Sequence, residues 1–192
     1  MNKLNYKGEM MRKGVHLSSS LFPILMLTTD IQICRISFPL IAILFCLMDY
    51  FRLRNNYYSR IYQHLFGVIT RSDEKFQLTG ASYVFVSAAV CVNLFTYNIA
   101  IISLFCLSIC DSFAAIIGIP FGKHKFFDKS LEGSIAFFIS ALAIFFIFKI
   151  QWAIALVCSL LGTLVESKKF PVNDNLLIPI SIGLTLTIML KI

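Results

Sequence analysis

Seven apolar stretches, most of them near the length of a bilayer-crossing helix, follow one another with short polar loops between them. They run from Val15 to Thr29, Ile33 to Phe51, Ala81 to Phe95, Asn98 to Ile119, Gly133 to Ile150, Trp152 to Ser167 and Leu176 to Ile192. A spanning helix takes ~20 residues, within a range of ~17–25, so the shortest stretches have approximate ends. Composition closes off the soluble alternative. The 192 residues are 58% hydrophobic and 14% charged, with a mean hydropathy of +0.80. Soluble domains run near ~45–50% and ~25%, and a domain of this size cannot bury the excess. Disorder is excluded because it needs low hydrophobicity. The pattern predicts an all-α, polytopic membrane helical bundle of about seven transmembrane helices, one domain over residues 1–192. The first stretch lacks a small-residue cleavage site and more spans follow it, which argues against a cleaved signal.

The chain carries 17 Lys and Arg against 10 Asp and Glu, a net charge of +7. In a soluble protein that balance points to nucleic acid. Here the placement of the charges matters more. Lys3, Lys7, Arg12 and Lys13 precede the first stretch, and Arg52, Arg54, Arg60, Arg71 and Lys75 follow the second. Lys123, Lys125 and Lys129 follow the fourth, and Lys168 and Lys169 follow the sixth. That puts 14 positive residues on one side, against Arg35, Lys149 and Lys191 on the other. Positive residues collect in cytoplasmic loops. The expected N-terminus is therefore cytoplasmic, the C-terminus lies outside, and no nucleic-acid partner is implied. The compact size points to a bacterial inner membrane. Within the long second loop, Tyr58, Ile61, Tyr62, Leu65, Phe66 and Ile69 recur at helical spacing. They predict an amphipathic helix, either on the cytoplasmic interface or packed as a loop helix. The six cysteines form no CxxC pair and read as small buried hydrophobes.

Nine of the ten acidic residues fall on the cytoplasmic side of this arrangement. Asp111 lies inside the fourth apolar stretch, where a carboxylate costs ~2.5–3.5 kcal/mol and needs protein, water or a cation beside it. Ser108, Asp111, Ser112, Ala115 and Gly118 form a small, partly polar stripe around it. Glu166 ends a similar stripe, and Asp49 ends the second stretch three residues before Arg52, a spacing that suits a local ion pair. After Asp111 comes a polar run, Gly118-Ile119-Pro120-Phe121-Gly122-Lys123-His124-Lys125, and then Lys129-Ser130-Leu131-Glu132-Gly133-Ser134. Glycines let backbone N–H groups approach an anion, and lysines supply charge. The run is one residue short of a P-loop, and His124 stands where the Mg²⁺-binding hydroxyl would be.

These residues resemble the signature of the polyprenol kinase family, which includes dolichol kinase, phytol kinase and CTP-dependent diacylglycerol kinase. The family pattern is roughly G-D-[ST]-x-A-x-x-x-G, then FGK, then K[ST]xEGS, with Cys110 here in place of the first Gly. Glu9-Met10-Met11-Arg12-Lys13-Gly14-Val15-His16 is similar to the family's N-terminal ExxRKxxH. Arg71 and Glu74 through Thr79-Gly80-Ala81 are similar to the loop before its third span. Glu166, Pro171, Asp174-Asn175 and Pro179 are similar to its late E…DNxxxP element.

The resemblance implies transfer of the γ-phosphoryl of CTP, or another nucleoside triphosphate, to a lipid alcohol, with a divalent cation such as Mg²⁺. The alcohol would be isoprenoid or diacylglycerol, met at the cytoplasmic face of the membrane. Asp111, Arg12, Lys13 and Glu166 are the expected catalytic residues. Asp111 is the central one, binding the metal or taking the hydroxyl proton, and Asp111, Glu166 and Asp174 are the expected metal ligands. Lys123, Lys125, Lys129, Gly118, Gly122, Gly133 and Ser134 would contact the phosphates. Glu9, His16, Glu74, Gly80, Ser112, Glu132 and Asn175 would support them, with Glu132 orienting a lysine or capping the fifth helix. Two other functions compete. A CDP-diacylglycerol synthase-like cytidylyltransferase shares part of the motif. A non-enzymatic carrier would use Asp111 as an ion site, although the inverted repeats usual in carriers are absent from the sequence.

Overall fold

The computed structural model describes residues 6–71 and 73–191, so Lys3 among the N-terminal charges and Ile192 at the end of the last apolar stretch lie outside it. Helices α1 (Tyr6–Ser18) and α2 (Leu21–Met26) lead into α3 (Ile31–Arg54) and α4 (Asn56–Phe66). Next come α5 (Gly80–Leu94), α6 (Tyr97–Phe105), a π-helical turn (Cys106–Cys110) and α7 (Asp111–Phe121). A hairpin of β1 (Lys125–Phe126) and β2 (Lys129–Ser130) joins α7 to α8 (Leu131–Ile147), and α9 (Trp152–Ser167) and α10 (Asp174–Met189) complete the chain.

Short polar residues set the boundaries. Asp30, Asn55, Thr79, Ser130 and Asn173 each accept a backbone N–H at the start of α3, α4, α5, α8 and α10. Such caps satisfy donors that a helix start leaves unpaired. The second to seventh apolar stretches each become one rod, within a few residues of their expected ends. The first does not. Ser18 and Ser19 turn their hydroxyls onto the carbonyls of Val15 and His16, both at 2.6 Å, and α1 ends there. Such side-chain bonds compete with helix continuation, so Val15 to Thr29 becomes the end of α1 and the six-residue α2.

Two helical rods among the described residues are long and apolar enough to cross a membrane, Ile31–Arg54 and Tyr97–Phe121. Their surroundings differ. The second is 72% buried and forms the axis of the bundle, whereas α3 is 17% buried. The outward face of α3 carries Ile36, Leu40, Ile43, Leu44 and Leu47, all exposed. An apolar belt of this extent on a soluble monomer would be an association hazard; in a bilayer it is the lipid-facing side.

Helix α8 packs against α7 on one side and α9 on the other, and α10 closes the bundle against α5, α6 and α9. Phe137, Phe145, Ile102, Leu107, Ile178 and Leu186 are fully buried between these helices. All six cysteines are free thiols, five of them buried.

The α7–α8 crossing depends on two glycines. A Cβ on Gly133 would lie 2.7 Å from the Ala114 carbonyl oxygen and 3.1 Å from the Gly118 Cα. One on Gly118 would lie 3.1 Å from the Gly133 Cα. Both glycines thus serve a helix-to-helix contact, and both also line the cavity described below. Gly133→Ala pushes against backbone, so it should destabilise the fold by about 1–3 kcal/mol, the range for overpacking. A lowered thermal midpoint in detergent would register this. Gly118→Ala meets first the movable Ser130 hydroxyl, at 2.7 Å, and should cost less.

Candidate active site

One end of the bundle gathers most of the polar side chains that the sequence singles out. Asp111 opens α7, directly after the π-helical turn, and is 4% exposed. Lys13, on the inward face of α1, donates to its Oδ2 at 2.5 Å and approaches its backbone carbonyl at 3.4 Å. His16, one turn further along α1, places Nε2 3.0 Å from the Leu107 carbonyl and 3.3 Å from Asp111 Oδ2. The two neighbours explain how a carboxylate persists within an apolar helix: an ammonium neutralises it and an imidazole braces it. The turn from Cys106 to Cys110 is π-helical, a widening often found at functional sites. Its Leu107 carbonyl is the one that His16 uses.

A second cluster sits beside the first. The hairpin aims Lys129 at α9 and α10, where Nζ donates to Glu166 Oε1 at 2.8 Å and Asp174 Oδ2 at 3.0 Å. Burial works against the ammonium charge, but Glu166, Asp111 and Asp174 together outweigh it and hold the Lys129 pKa well above its ordinary value. The hairpin is pinned in this pose. Phe127 takes a positive φ of 49° at its tip. Asp128 accepts the Lys169 N–H at 2.9 Å and gives its own N–H to the Ser167 carbonyl at 3.1 Å. Glu166 Oε2 is buried and, among the described residues, has no hydrogen-bond partner.

A third group ties the loop before α5 to the site. Glu74 takes Arg12 at 2.6 Å and the Gly80 N–H at 3.2 Å, while Asn175 donates to the Gly80 carbonyl at 3.1 Å. A Cβ on Gly80 would lie 2.7 Å from the Arg12 guanidinium and 3.2 Å from Asn175 Nδ2, so a larger residue there would displace both side chains. Beneath it, Asp49 is far more than half of a local ion pair. It accepts from Arg52 at 2.9 Å and also from the Thr79 N–H, the Thr79 hydroxyl and the Ser82 hydroxyl. Arg52 in turn bonds the Glu74 and Gln77 carbonyls. This buried knot locks the α4–α5 loop to α3. The sequence signalled its Asp49–Arg52 pair, by an acid ending an apolar run three residues before an arginine, but not the partners in the α4–α5 loop.

Arg71 reaches across to Glu9 on α1 at 2.9 and 3.2 Å. Burial disfavours the Glu9 carboxylate, but Arg71, with Arg12 and Lys13 behind it, prevails and lowers its pKa. Glu9 titrates from an ordinary value of 4.5, so this clamp holds fully above pH 4.5 and is lost as pH falls through the lower folded value. Comparing the thermal midpoints of the wild type and Glu9→Gln against pH tests this. The gap should be constant above 4.5 and close in stronger acid.

Other expected residues lie apart. Lys123, Lys125 and Gly122 are exposed, and none of them lines the cavity described below. Glu132 neither orients a lysine nor caps α8. It closes the hairpin by accepting from His124 Nδ1 at 2.8 Å, while Ser130 is the cap. Ser112 donates to the Ser108 carbonyl at 2.6 Å within its own helix, and Ser134 is buried outside the cavity. These differences arise because the hairpin folds the basic run on itself. Lys129 turns inward and Lys123 and Lys125 turn outward.

Asp111, Lys13, Arg12, Lys129 and Asp174 all line one cavity of about 1640 Å³. Ordinary ligand pockets occupy ~300–1,000 Å³. Its charged end lies at these residues, and it continues beneath α4 between α1, α3 and α5 as an apolar lobe. The amphipathic face of α4, with Tyr58, Ile61, Tyr62, Leu65 and Phe66, looks into that lobe. The site therefore combines a phosphate-compatible charged rim with a space suited to hydrocarbon.

Comparison with known proteins agrees with this chemistry. No protein-family model matches the chain, and no solved structure matches it. An uncharacterized protein of Rickettsia prowazekii is 32% identical over 98% of both chains. CTP-dependent diacylglycerol kinase 1 of Schizosaccharomyces pombe is 30% identical over 69% of this chain and 63% of the kinase. The enzyme of that name in Saccharomyces cerevisiae is 31% identical over 69% of this chain and 47% of its own length. The match thus spans between about half and two-thirds of these kinases. The chain belongs to one family with the Rickettsia prowazekii protein and is a distant homologue of the CTP-dependent diacylglycerol kinases, which are lipid kinases.

Proposed function

We propose that this protein transfers the γ-phosphoryl group of CTP to the hydroxyl of a membrane lipid, either diacylglycerol or an isoprenoid alcohol. The observation that carries the reading is the cavity, with Asp111, Lys13 and Lys129 at one end and an apolar lobe at the other. Phosphoryl transfer needs mainly positioning and neutralisation of phosphate charge, and Arg12, Lys13 and Lys129 are placed for both. The hydroxyl oxygen forms a bond to Pγ, the Pγ–O bond to the β-phosphate breaks, CDP leaves and the hydroxyl gives up its proton. Asp111 is the carboxylate positioned to take that proton or to hold the cation.

Among the described residues no three His, Cys, Asp or Glu side chains converge as a metal cage. Mg²⁺ in nucleotide enzymes typically needs only one or two carboxylates plus the phosphates. Asp174, which lines the cavity, fits that lighter requirement, with Glu166 and its unpartnered Oε2 behind it on the other side of Lys129. Bound there, the cation would supply further neutralisation of the phosphates.

The distribution of positive residues, 14 against 3, supports a cytoplasmic N-terminus and a cytoplasmic site in a seven-span arrangement. On that topology α3, α5, the α6–α7 rod, α8, α9 and α10 supply six crossings, and the broken α1–α2 segment supplies the first. A bacterial inner membrane suits the chain's size.

Two labels test the function. Purified protein in mixed micelles with diacylglycerol, phytol and a polyprenol should move label from γ-labelled CTP to one of the lipids. Label passing from α-labelled CTP to the lipid, with release of pyrophosphate, would instead make the chain a cytidylyltransferase. No transfer with either label would refute the kinase reading.

A further inference from the structure

The apolar lobe has a definite floor. On α3 the cavity-lining residues furthest from the charged end stop at Phe45, on α5 they stop at Phe85, and along α1 and α2 they stop at Phe22. Of these three last residues, Phe85 packs against both of the others. The Phe22 and Phe85 ring centroids are 5.0 Å apart, and those of Phe45 and Phe85 are 4.3 Å apart. Each ring comes from a different helix, so the cavity ends against one aromatic cluster rather than tapering into the bundle. Behind it, Phe38 packs edge-on against Phe22 at 6.1 Å and is buried. At 1.5 Å per helical residue, the floor lies about 8–15 Å below the charged rim, measured along α5 or α1.

The roof is amphipathic. Helix α4 has no buried residue, although Ile61, Leu65 and Phe66 face the lobe with 42%, 65% and 44% of their surface exposed. On the deep part of the α1 wall, the Ser18 and Ser19 hydroxyls are committed to carbonyls of their own helix. The deep part of the lobe therefore has hydrocarbon and aromatic walls. Nearer the rim it is lined also by Asp49 and Arg52, whose polar atoms are engaged with each other and with Thr79, Ser82, Glu74 and Gln77, and it is continuous with the space beside Asp111.

We propose that this lobe holds the hydrocarbon tail of the hydroxyl-bearing lipid, with the Phe22–Phe45–Phe85 cluster as the stop that sets how far the tail inserts and therefore which chain lengths are used. The assignment rests on the lipid-kinase reading for the direction of the molecule, hydroxyl toward Asp111 and tail toward the rings. A single molecule laid this way has a polar end at the rim and an apolar end at the floor, which is the polarity of the cavity itself. A nucleotide base and ribose seated in the lobe would lose their hydrogen bonds to water and gain few in return. Helix α4, capped at its start by Asn55 and touched at the Tyr62 ring by the Arg52 guanidinium at 4.8 Å, then acts as the lateral cover under which the tail enters.

The test uses the full chain in detergent and long-chain primary alcohols carrying a diazirine at the terminal carbon, in a series of increasing length. Cross-linking reads occupancy without requiring phosphoryl transfer, so the tail site and the kinase activity stand or fall separately. Probes long enough to reach the floor should label the peptides containing Phe22, Phe45 and Phe85, and unlabelled long-chain alcohol should compete. A diazirine at mid-chain should label the α4 peptide. In Phe85→Ala and in Phe45→Ala, the length that labels most strongly should shift upward by several carbons. Where the wild type phosphorylates the series, its preferred length should shift in the same direction. Two variants are used so that a loss of fold in one leaves the other to be read, and the wild-type labelling pattern is informative without them. Labelling confined to the outer faces of α3 and α8, or a length profile unchanged in both folded variants, would overturn the assignment.

Discussion

Asp111→Asn should reduce lipid phosphorylation by about 10²–10⁴-fold, the range for losing a positioned proton acceptor, while the protein still inserts into membranes. The carboxylate is buried and touches both Lys13 and His16. Stability should fall as well, for a separate reason. Removing one member of a buried ion pair strands the other, at a cost of about 3–5 kcal/mol. Lys13→Met should be as harmful, because it leaves Asp111 with only the weaker His16 contact. The double variant, Lys13→Met with Asp111→Leu, should be more stable than either single one, since nothing charged is left unpaired. It should remain inactive. A denaturant titration of the four proteins separates the two effects. An active Asp111→Asn protein would remove Asp111 from the mechanism. Strictly additive destabilisation would mean that the pair is not coupled as its 2.5 Å contact implies.

Lys129→Met should produce the second large loss, about 10²–10³-fold, the usual cost of removing one preorganised charge donor to a developing anion. Lys129 stands between Glu166 and Asp174, so the change also leaves two carboxylates sharing one corner with no cation between them. The apparent KM for CTP should rise, and Lys129→Arg should recover part of the activity because its charge is retained. Lys123→Ala and Lys125→Ala, on the exposed side of the same loop, should cost far less. Initial rates over a CTP series would decide this. Equal losses at all three lysines would show that the hairpin acts as a general basic patch and not through Lys129.

Much of the architecture was legible in the sequence because a membrane helix is written in one dimension. Apolar length alone located the rods from α3 to α10, and the spaced aromatic and aliphatic residues from Tyr58 to Phe66 located α4. Asp111 was legible for a related reason: a lone acid inside an apolar run violates the pattern, and a violation kept at such cost invites a functional explanation. The differences arose where side chains bond to backbone or meet other helices, neither of which hydropathy registers. Ser18 and Ser19 broke the first stretch by donating to the Val15 and His16 carbonyls one turn back. Gly118 and Gly133 meet each other across two helices, a contact that only packing reveals.

The sequence by itself determined that the chain is a helical membrane protein with its charge crowded at alternate loops, because hydropathy and charge act locally along the chain. Tertiary structure alone decided which charges work together. It brought Lys13 to Asp111 across 98 positions and Lys129 to Glu166 across 37, turned Lys123 and Lys125 away, and closed the apolar lobe with rings from three helices. Ion pairs and cavities depend on distances between side chains, and those distances are set only when the helices pack.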